Sequence, residues 1–301
     1  MAINRAQLAA ELEPGLNALF GLEYKTYADE TTMLFNTEGS DRAFEEEVLL
    51  GGFDAAVVKE EGKGVSYDTA QESWTARYHH ETIALAFALT EESIEDNLYE
   101  KLSARYTKAL ARSMAHTKNV KGAAIFNNGF DSNFPGGDGV ELFGDHTTLA
   151  GGTLSNEPTA AADLNETALE AAYIAIAGWV DERGLSVAMQ PKSLVIPTDL
   201  CFVAERVLKS TLRVETADND LNAIRSKSAI PGGYDVNHYL TDTNAWFLKT
   251  DCPNSLKHFN RVPMKTGMEG DFETGNVRYK ARERYSFGWS DYRGCYGSPG
   301  I

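Results

Sequence analysis

The sequence predicts an α+β protein, and three observations carry that reading. Apolar residues keep helical spacing from residue 91 to 119, strand-like alternation fills the stretch before it, and the second half interleaves short helical and strand-like segments. With 43% hydrophobic and 24% charged residues, the composition is that of a folding globular chain and not of a disordered one. A length of 301 residues fits one elaborate domain or two.

Residues 1–42 read as an arm. Leu8, Leu12, Leu16, Leu19 and Phe20 make a short amphipathic stretch broken by Pro14-Gly15, and a polar segment follows. Such a segment has little core of its own and is either mobile or pinned against something else. From Phe44 to Thr90 the alternation surrounds a glycine-rich middle at residues 60–64, which predicts a long two-stranded hairpin over 43–90. Its second limb is the clearer one, with Trp74, Ala76 and Tyr78 alternating with Thr75 and Arg77, then Ile83, Leu85, Phe87 and Leu89. A lone hairpin is marginal in water, so its apolar residues must pack on something outside it. Trp74, Arg77 and Tyr78 are therefore candidate contacts to a neighbouring subunit.

Thr90 is a suitable N-cap, and Glu91, Glu92, Glu95 and Asp96 favour the positive end of a helix dipole. Ile94, Leu98, Leu102, Tyr106, Leu110 and Met114 continue at helical spacing, predicting one long helix over 91–119. Lys101, Arg105, Lys108 and Arg112 form a basic stripe on its other face. The plain reading of that stripe is a solvated surface; the sharper one is docking against acidic surface of a neighbouring chain.

Glycines and Asn127-Asn128 mark 127–164 as loop. A second helix should run from Asp163 or Asn165 past Trp179 to Gly184, a residue suited to a left-handed cap. The proline-bounded run Pro191 to Pro197 reads as a buried strand, and Thr198 should cap a helix containing Phe202, Val203, Val207 and Leu208. After a polar stretch, strands are expected at Tyr234–Leu240 and Trp246–Leu248, and a long late strand at Val277–Tyr296, where Val277, Tyr279 and Ala281 alternate with Arg278, Lys280 and Arg282.

The chemistry-bearing motifs point away from catalysis. The glycine-rich stretches lack the spacing of phosphate-cradling loops. His79-His80-Glu81 lies on a strand, where adjacent side chains face opposite ways, so the imidazoles should not share a metal ion. Asp131, Asn133 and Asp138 suit ordinary turns better than a calcium loop. Cys201, Cys252 and Cys295 are widely separated, without metal-finger spacing, and read as idle thiols. No catalytic residue, cofactor or metal site is expected. A formal charge of −16 disfavours generic nucleic-acid binding, since duplex affinity comes largely from Lys and Arg. No membrane-length apolar run and no secretory leader pattern is visible, so synthesis in the cytosol is expected.

The succession of arm, long hairpin, long helix and compact mixed region resembles the Hong Kong 97-type capsid fold of tailed bacteriophages. Two stretches sharpen the resemblance. The run from Gln190 through Leu200, QPKSLVIPTDL, looks like the segment entering the apical domain of Mu-like major head subunits. The ending from Arg282 to Gly297, RERYSFGWSDYRGCYG, is similar to the aromatic, glycine-containing strand that closes such proteins. The resemblance implies an N-arm at 1–42, an extended loop at 43–90, a peripheral domain with a spine helix at 91–189, an apical domain at 190–250, and a return to the peripheral domain at 251–301.

It further implies a major capsid subunit that assembles as hexamers and pentamers around double-stranded DNA, enclosed without sequence-specific binding. The implied partners are a separate scaffolding protein, a portal and a decoration protein, with no membrane and no cofactor. The implied location is the virion, assembled in the host bacterial cytoplasm. Two alternatives stand beside it: an encapsulin-like nanocompartment shell, and a soluble α/β enzyme.

Overall fold

A computed structural model describes residues 5–90, 92, 99–213, 220–271 and 275–301. Among them, strands group into two four-stranded and two two-stranded sheets, one of the small ones being β5 (Asp145–Thr147) with β6 (Thr153–Ser155). The first large sheet has the order β1 (Asn36–Gly39), β10 (Leu256–Gly270), β11 (Val277–Trp289), β4 (Glu81–Leu89). Only the β1–β10 pair is parallel.

The alternation of β11 sets what this sheet packs against. Val277, Tyr279, Ala281, Glu283 and Tyr285 point one way and are buried, while Arg278, Lys280 and Arg282 point the other way and are exposed. Two helices cover the inward face. After α1 (Arg5–Thr26) and the one-turn α2 (Thr31–Leu34), helix α3 (Tyr99–Asn127) brings Leu110, Ala111 and Met114, and α1 brings Leu16 and Phe20, into one cluster with Tyr279 and Ala281. The amphipathic stretch of the arm is thus pinned on its own chain. Its helix runs through Pro14, with tertiary packing beyond that point supplying the support that propensity does not.

The long helix was expected over 91–119. Its capping segment at 91 and 93–98 lies outside the described residues, and its observed end is Asn127, eight residues later than expected. The reason is Phe126, which stands edge-on to Phe247 at 5.1 Å and carries the last turns into a second core. That core surrounds the other large sheet: β12 (Cys295–Ser298), β9 (Trp246–Thr250), β7 (Pro191–Ile196), β8 (Tyr234–Val236). Leu194, Val195 and Ile196 are all buried, as a strand covered on both faces requires. Helices α4 (Glu166–Ala177) and α5 (Cys201–Lys209) join the same core through Leu169, Ala172, Ile176, Ala204 and Val207.

Several expectations need correction. The second limb of the hairpin divides at His80: residues 72–79 pair with the first limb, whereas 81–89 leave it and become an edge of the large sheet beside β11. Asn165 caps α4 as expected, by accepting from the Ala168 amide, but the helix ends at Gly178. Trp179 remains buried; Val180 then bridges to Ser186, and Gly184, at φ +85°, shapes the turn between them. Thr198 opens a 3-10 turn ahead of α5, with no side-chain cap. A short helix α6 (Ala223–Lys227) occupies part of the polar stretch, and β8 is shorter than anticipated. The last residues, 295–298, return to the second sheet beside β9 and not to the first.

Strand β10 had no counterpart in the sequence reading. Its fifteen residues include Pro263, and its ladder with β11 slips between Asn260 and Val262 and again between Val262 and Lys265. Proline within a sheet is tolerated at such bulges. The two histidines behave as predicted: His80 is buried between Ser40 and Ser286, while His79 is exposed beside Phe44. Asp131 accepts from Asn133, and Asp138 from Val140, both as turn carboxylates.

A buried carboxylate lies where α1, α3 and the first sheet meet. Glu283 is 5% exposed, beside Tyr24, and one of its carboxylate oxygens has no hydrogen-bond partner. Burial pushes its carboxyl from 4.5 up to about 7, with Lys118 opposing and Asp29 adding to the rise. The folded state holds this proton more tightly than the unfolded chain does. The contribution of Glu283 to stability is therefore full below pH 4.5 and is lost as pH climbs to about 7. Glu283→Gln, which stays neutral, is expected to match wild type near pH 4 and to exceed it by about 2–3 kcal/mol near pH 8. Urea midpoints at the two pH values measure this, and parallel profiles for both proteins would refute it.

Candidate intersubunit surface

The hairpin consists of β2 (Phe44–Leu50) and β3 (Glu72–His79), in register from Phe44 opposite His79 to Val48 opposite Thr75, with a shift before Leu50 meets Glu72. The Gly51 amide donates to the Gln71 carbonyl at 2.8 Å and closes the ladder. Beyond it the segment of residues 52–70 runs without strand pairing. Its ends stay together because the Asp54 amide donates to the Asp68 carboxylate at 2.8 Å. The loop they enclose carries apolar side chains into solvent: Val58 is 93% and Tyr67 96% exposed, and Phe53, Val57 and Val65 are also exposed.

The base of the hairpin is bound to its own chain. Trp74 stands edge-on to Trp289 with ring centroids 5.6 Å apart. The loop at Gly136-Gly137 passes so close that a Cβ at Gly136 would lie 2.1 Å from the Trp289 ring, and one at Gly137 would lie 2.5 Å from Trp74. Tyr78 is buried, edge-on to Phe259 at 4.8 Å, with its hydroxyl bonded to Ser290. Tyr78 thus packs inside its own chain, contrary to the expectation of an outward contact, and Trp74 is half-buried against its own core and still partly exposed. Strand alternation gives which residues share a face but not what that face meets. Arg77 does point outward, paired with Glu46 and 5.0 Å over the Phe44 ring.

Two adjacent residues tie the base down further. Glu182 is almost fully buried and meets Arg293 at 3.3 Å, while its other oxygen accepts from Ser73 of β3 and from the Leu149 amide. Arg293 also reaches Asp291 at 2.9 Å and the Val180 carbonyl. Next in the chain, Arg183 donates to the Thr69 carbonyl at 2.7 Å and faces Asp54 at 3.5 Å, gripping both ends of the exposed loop. Lys257, also buried, joins Glu47 of β2 to Glu38. Sequence reasoning missed these, because most of the partners are far apart in the chain, Lys257 and Glu47 by 210 positions.

The basic stripe on α3 is only partly free. Arg105, Lys108 and Arg112 are exposed, and Lys108 lies 3.6 Å from Glu23 of the arm helix, an exposed pair of little energetic weight. The Lys101 side chain lies outside the described residues. Among the described residues no cluster of His, Cys, Asp or Glu could hold a metal ion, and no helix is long and apolar enough to cross a membrane.

Residues 75–298 match the family model described as phage capsid protein. The chain belongs to that family. The capsid protein is similar in structure to the capsid of Myoviridae phage XM1, at 12% identity over 91% of this chain and 93% of that one, with a TM-score of 0.53. It is likewise similar to a chain of Mycobacterium phage Che8, at 15% identity over 89% of each, with a TM-score of 0.52. A virus-like particle from Pyrococcus furiosus shares the fold at 11% identity, 94% and 97% coverage and a TM-score of 0.52. No curated protein matches the sequence. The fold is the Hong Kong 97 type, and the capsid protein is a structural protein of a shell.

Proposed function

We propose that this chain is the major head subunit of a tailed phage, assembling as hexamers and pentamers into an icosahedral shell around double-stranded DNA. The observation that carries the reading is the loop between Gly51 and Gln71. Its valines and aromatic rings are in water on an isolated chain, although its base is held firmly by Glu182, Arg183 and Trp74. A contiguous exposed apolar patch marks an interaction site. A rigid base beneath such a loop directs it at another copy.

In this reading the arm at 1–42, the loop at 43–79 and the spine helix α3 serve the peripheral region, and the second sheet with α4 and α5 forms the apical one. The segment from Gln190 to Leu200 favours the Mu-like branch of the family. Scaffolding, portal and decoration proteins would be separate chains, assembly would take place in the host cytoplasm, and Arg77, Arg105 and Arg112 are the outward cations available for intersubunit contact. Cohesion then comes from many modest interfaces, at about 25 cal/mol per Å² of apolar surface removed from water. Repetition makes the lattice durable while each contact stays correctable.

The test is negative-stain microscopy of the expressed protein, with nucleic-acid content measured on particles from an infected or induced host. Shells that hold DNA are expected. Shells filled with a cargo protein would instead indicate an encapsulin-like compartment, and a stable 33 kDa monomer under all assembly conditions would refute both.

A further inference from the structure

The outward face of the first sheet departs from the charge of the rest of the molecule. Between Val277 and Tyr285 every outward position of β11 is basic: Arg278, Lys280, Arg282 and Arg284. The chain as a whole has 44 Asp and Glu against 28 Lys and Arg, so a merely solvated strand would be expected to show acids there. Across the ladder, β10 adds Lys265 opposite Arg282. Arg278 is neutralised by Asp271, and the exposed Glu269 of β10 lies opposite it, so the free positive charge is centred further along the row. Lys265, Lys280 and Arg282 have no carboxylate at ion-pair distance among the described residues.

The neighbours of this row are small. On β4, Ala88, Ala86, Ala84 and Thr82 lie opposite Arg278, Lys280, Arg282 and Arg284, and Gly267 of β10 lies opposite Lys280. Alternate strand residues are about 6.8 Å apart, so the row extends about 20 Å above a flat shelf. Tight protein interfaces are anchored by aromatic and large apolar side chains. This shelf offers only Val262, half-buried opposite Arg284 at one end, and no aromatic ring. It does offer unpaired guanidinium and ammonium groups, which suit phosphate oxygens, with room for a bulky backbone to approach. The positive field is felt locally: His80 is held below the usual histidine range, first by burial and then by Arg284. Screening confines the opposing effect of the distant acidic surface to about 8–10 Å, so net charge does not cancel this face.

We propose that the outward face of β11, centred on Lys280, Arg282 and Lys265, contacts the phosphate backbone of double-stranded DNA without base selection. The inference rests on the reading that the shell encloses DNA, and it orients the subunit by turning this face to the interior.

The test is a salt titration of the purified full-length chain, before shell closure, against a short mixed-sequence DNA duplex. Wild type is expected to bind with an affinity that falls steeply as salt rises. Lys280→Ala with Arg282→Ala should weaken binding at least about tenfold at low salt and reduce the log–log salt slope by about 2, since each phosphate contact contributes about 0.9. Lys192→Ala with Arg206→Ala removes the same charge from exposed positions beside the second sheet and should bind as wild type does. Equal losses in the two double variants, unchanged affinity in the first, or no binding by wild type would overturn the proposal. So would a first variant that keeps its DNA affinity but no longer forms shells, because the face would then dock an acidic surface of a second copy. Shell formation is scored separately by microscopy, so failure of the head-subunit reading is distinguishable from failure of this one.

Discussion

Arg293→Ala is expected to cost about 3–5 kcal/mol of folding stability, the largest single-residue effect in the molecule. The guanidinium is 5% exposed and stands between Glu182 and Asp291, both nearly inaccessible to water. Removing it leaves two buried carboxylates facing each other without a cation, together with the Val180 carbonyl that Arg293 also satisfies. The damage should spread, since Glu182 also accepts from Ser73 and Leu149 and so fixes the base of the hairpin. Arg293→Lys keeps a charge but loses the planar fork and should fall between the two. Urea unfolding measures the effect. A midpoint shift worth less than about 1 kcal/mol, the size usual for surface changes, would show that this cluster is not the clamp.

What the sequence disclosed, and what it hid, follows from the range of the interactions. The period of α3 and the alternation of β11 are local patterns, and both elements are found there, although α3 runs on to Asn127 and β11 stops at Trp289, short of Tyr296. The run from Pro191 to Ile196 was legible because a short apolar stretch between prolines has few other uses. Strand β10 was hidden because Pro263, Gly267 and three cations, Lys257, Arg261 and Lys265, break any alternation, and its ladder depends on β11, its neighbour in space. The inward burial of Tyr78 was hidden for the same reason: Phe259 and Ser290, which receive it, are about two hundred positions away. Composition misled in one respect. A net charge of −16 averages over the molecule and conceals a wholly basic row on one strand.

The loop itself should be separable from the fold. Excising residues 55–67 and joining Asp54 to Asp68 through a few glycines is geometrically permissible, because the Asp54 amide already touches the Asp68 carboxylate. The β2–β3 ladder, the Trp74–Trp289 contact and the Arg183 grip on Thr69 are all outside the excised segment. Shortening a flexible loop lowers its closure cost by less than about 1 kcal/mol, so the monomer should unfold at or slightly above the wild-type urea midpoint. Assembly should be lost altogether. Val57, Val58 and Val65 go with the segment, as does Tyr67, and buried side chains of this kind contribute about 1.5–3 kcal/mol each when fully covered. Native mass and electron microscopy give the two readouts independently. Shells at normal yield from the excised chain would mean that the loop is decorative and that cohesion lies in the sheet and helix surfaces; an unfolded monomer would mean that it is part of the core after all.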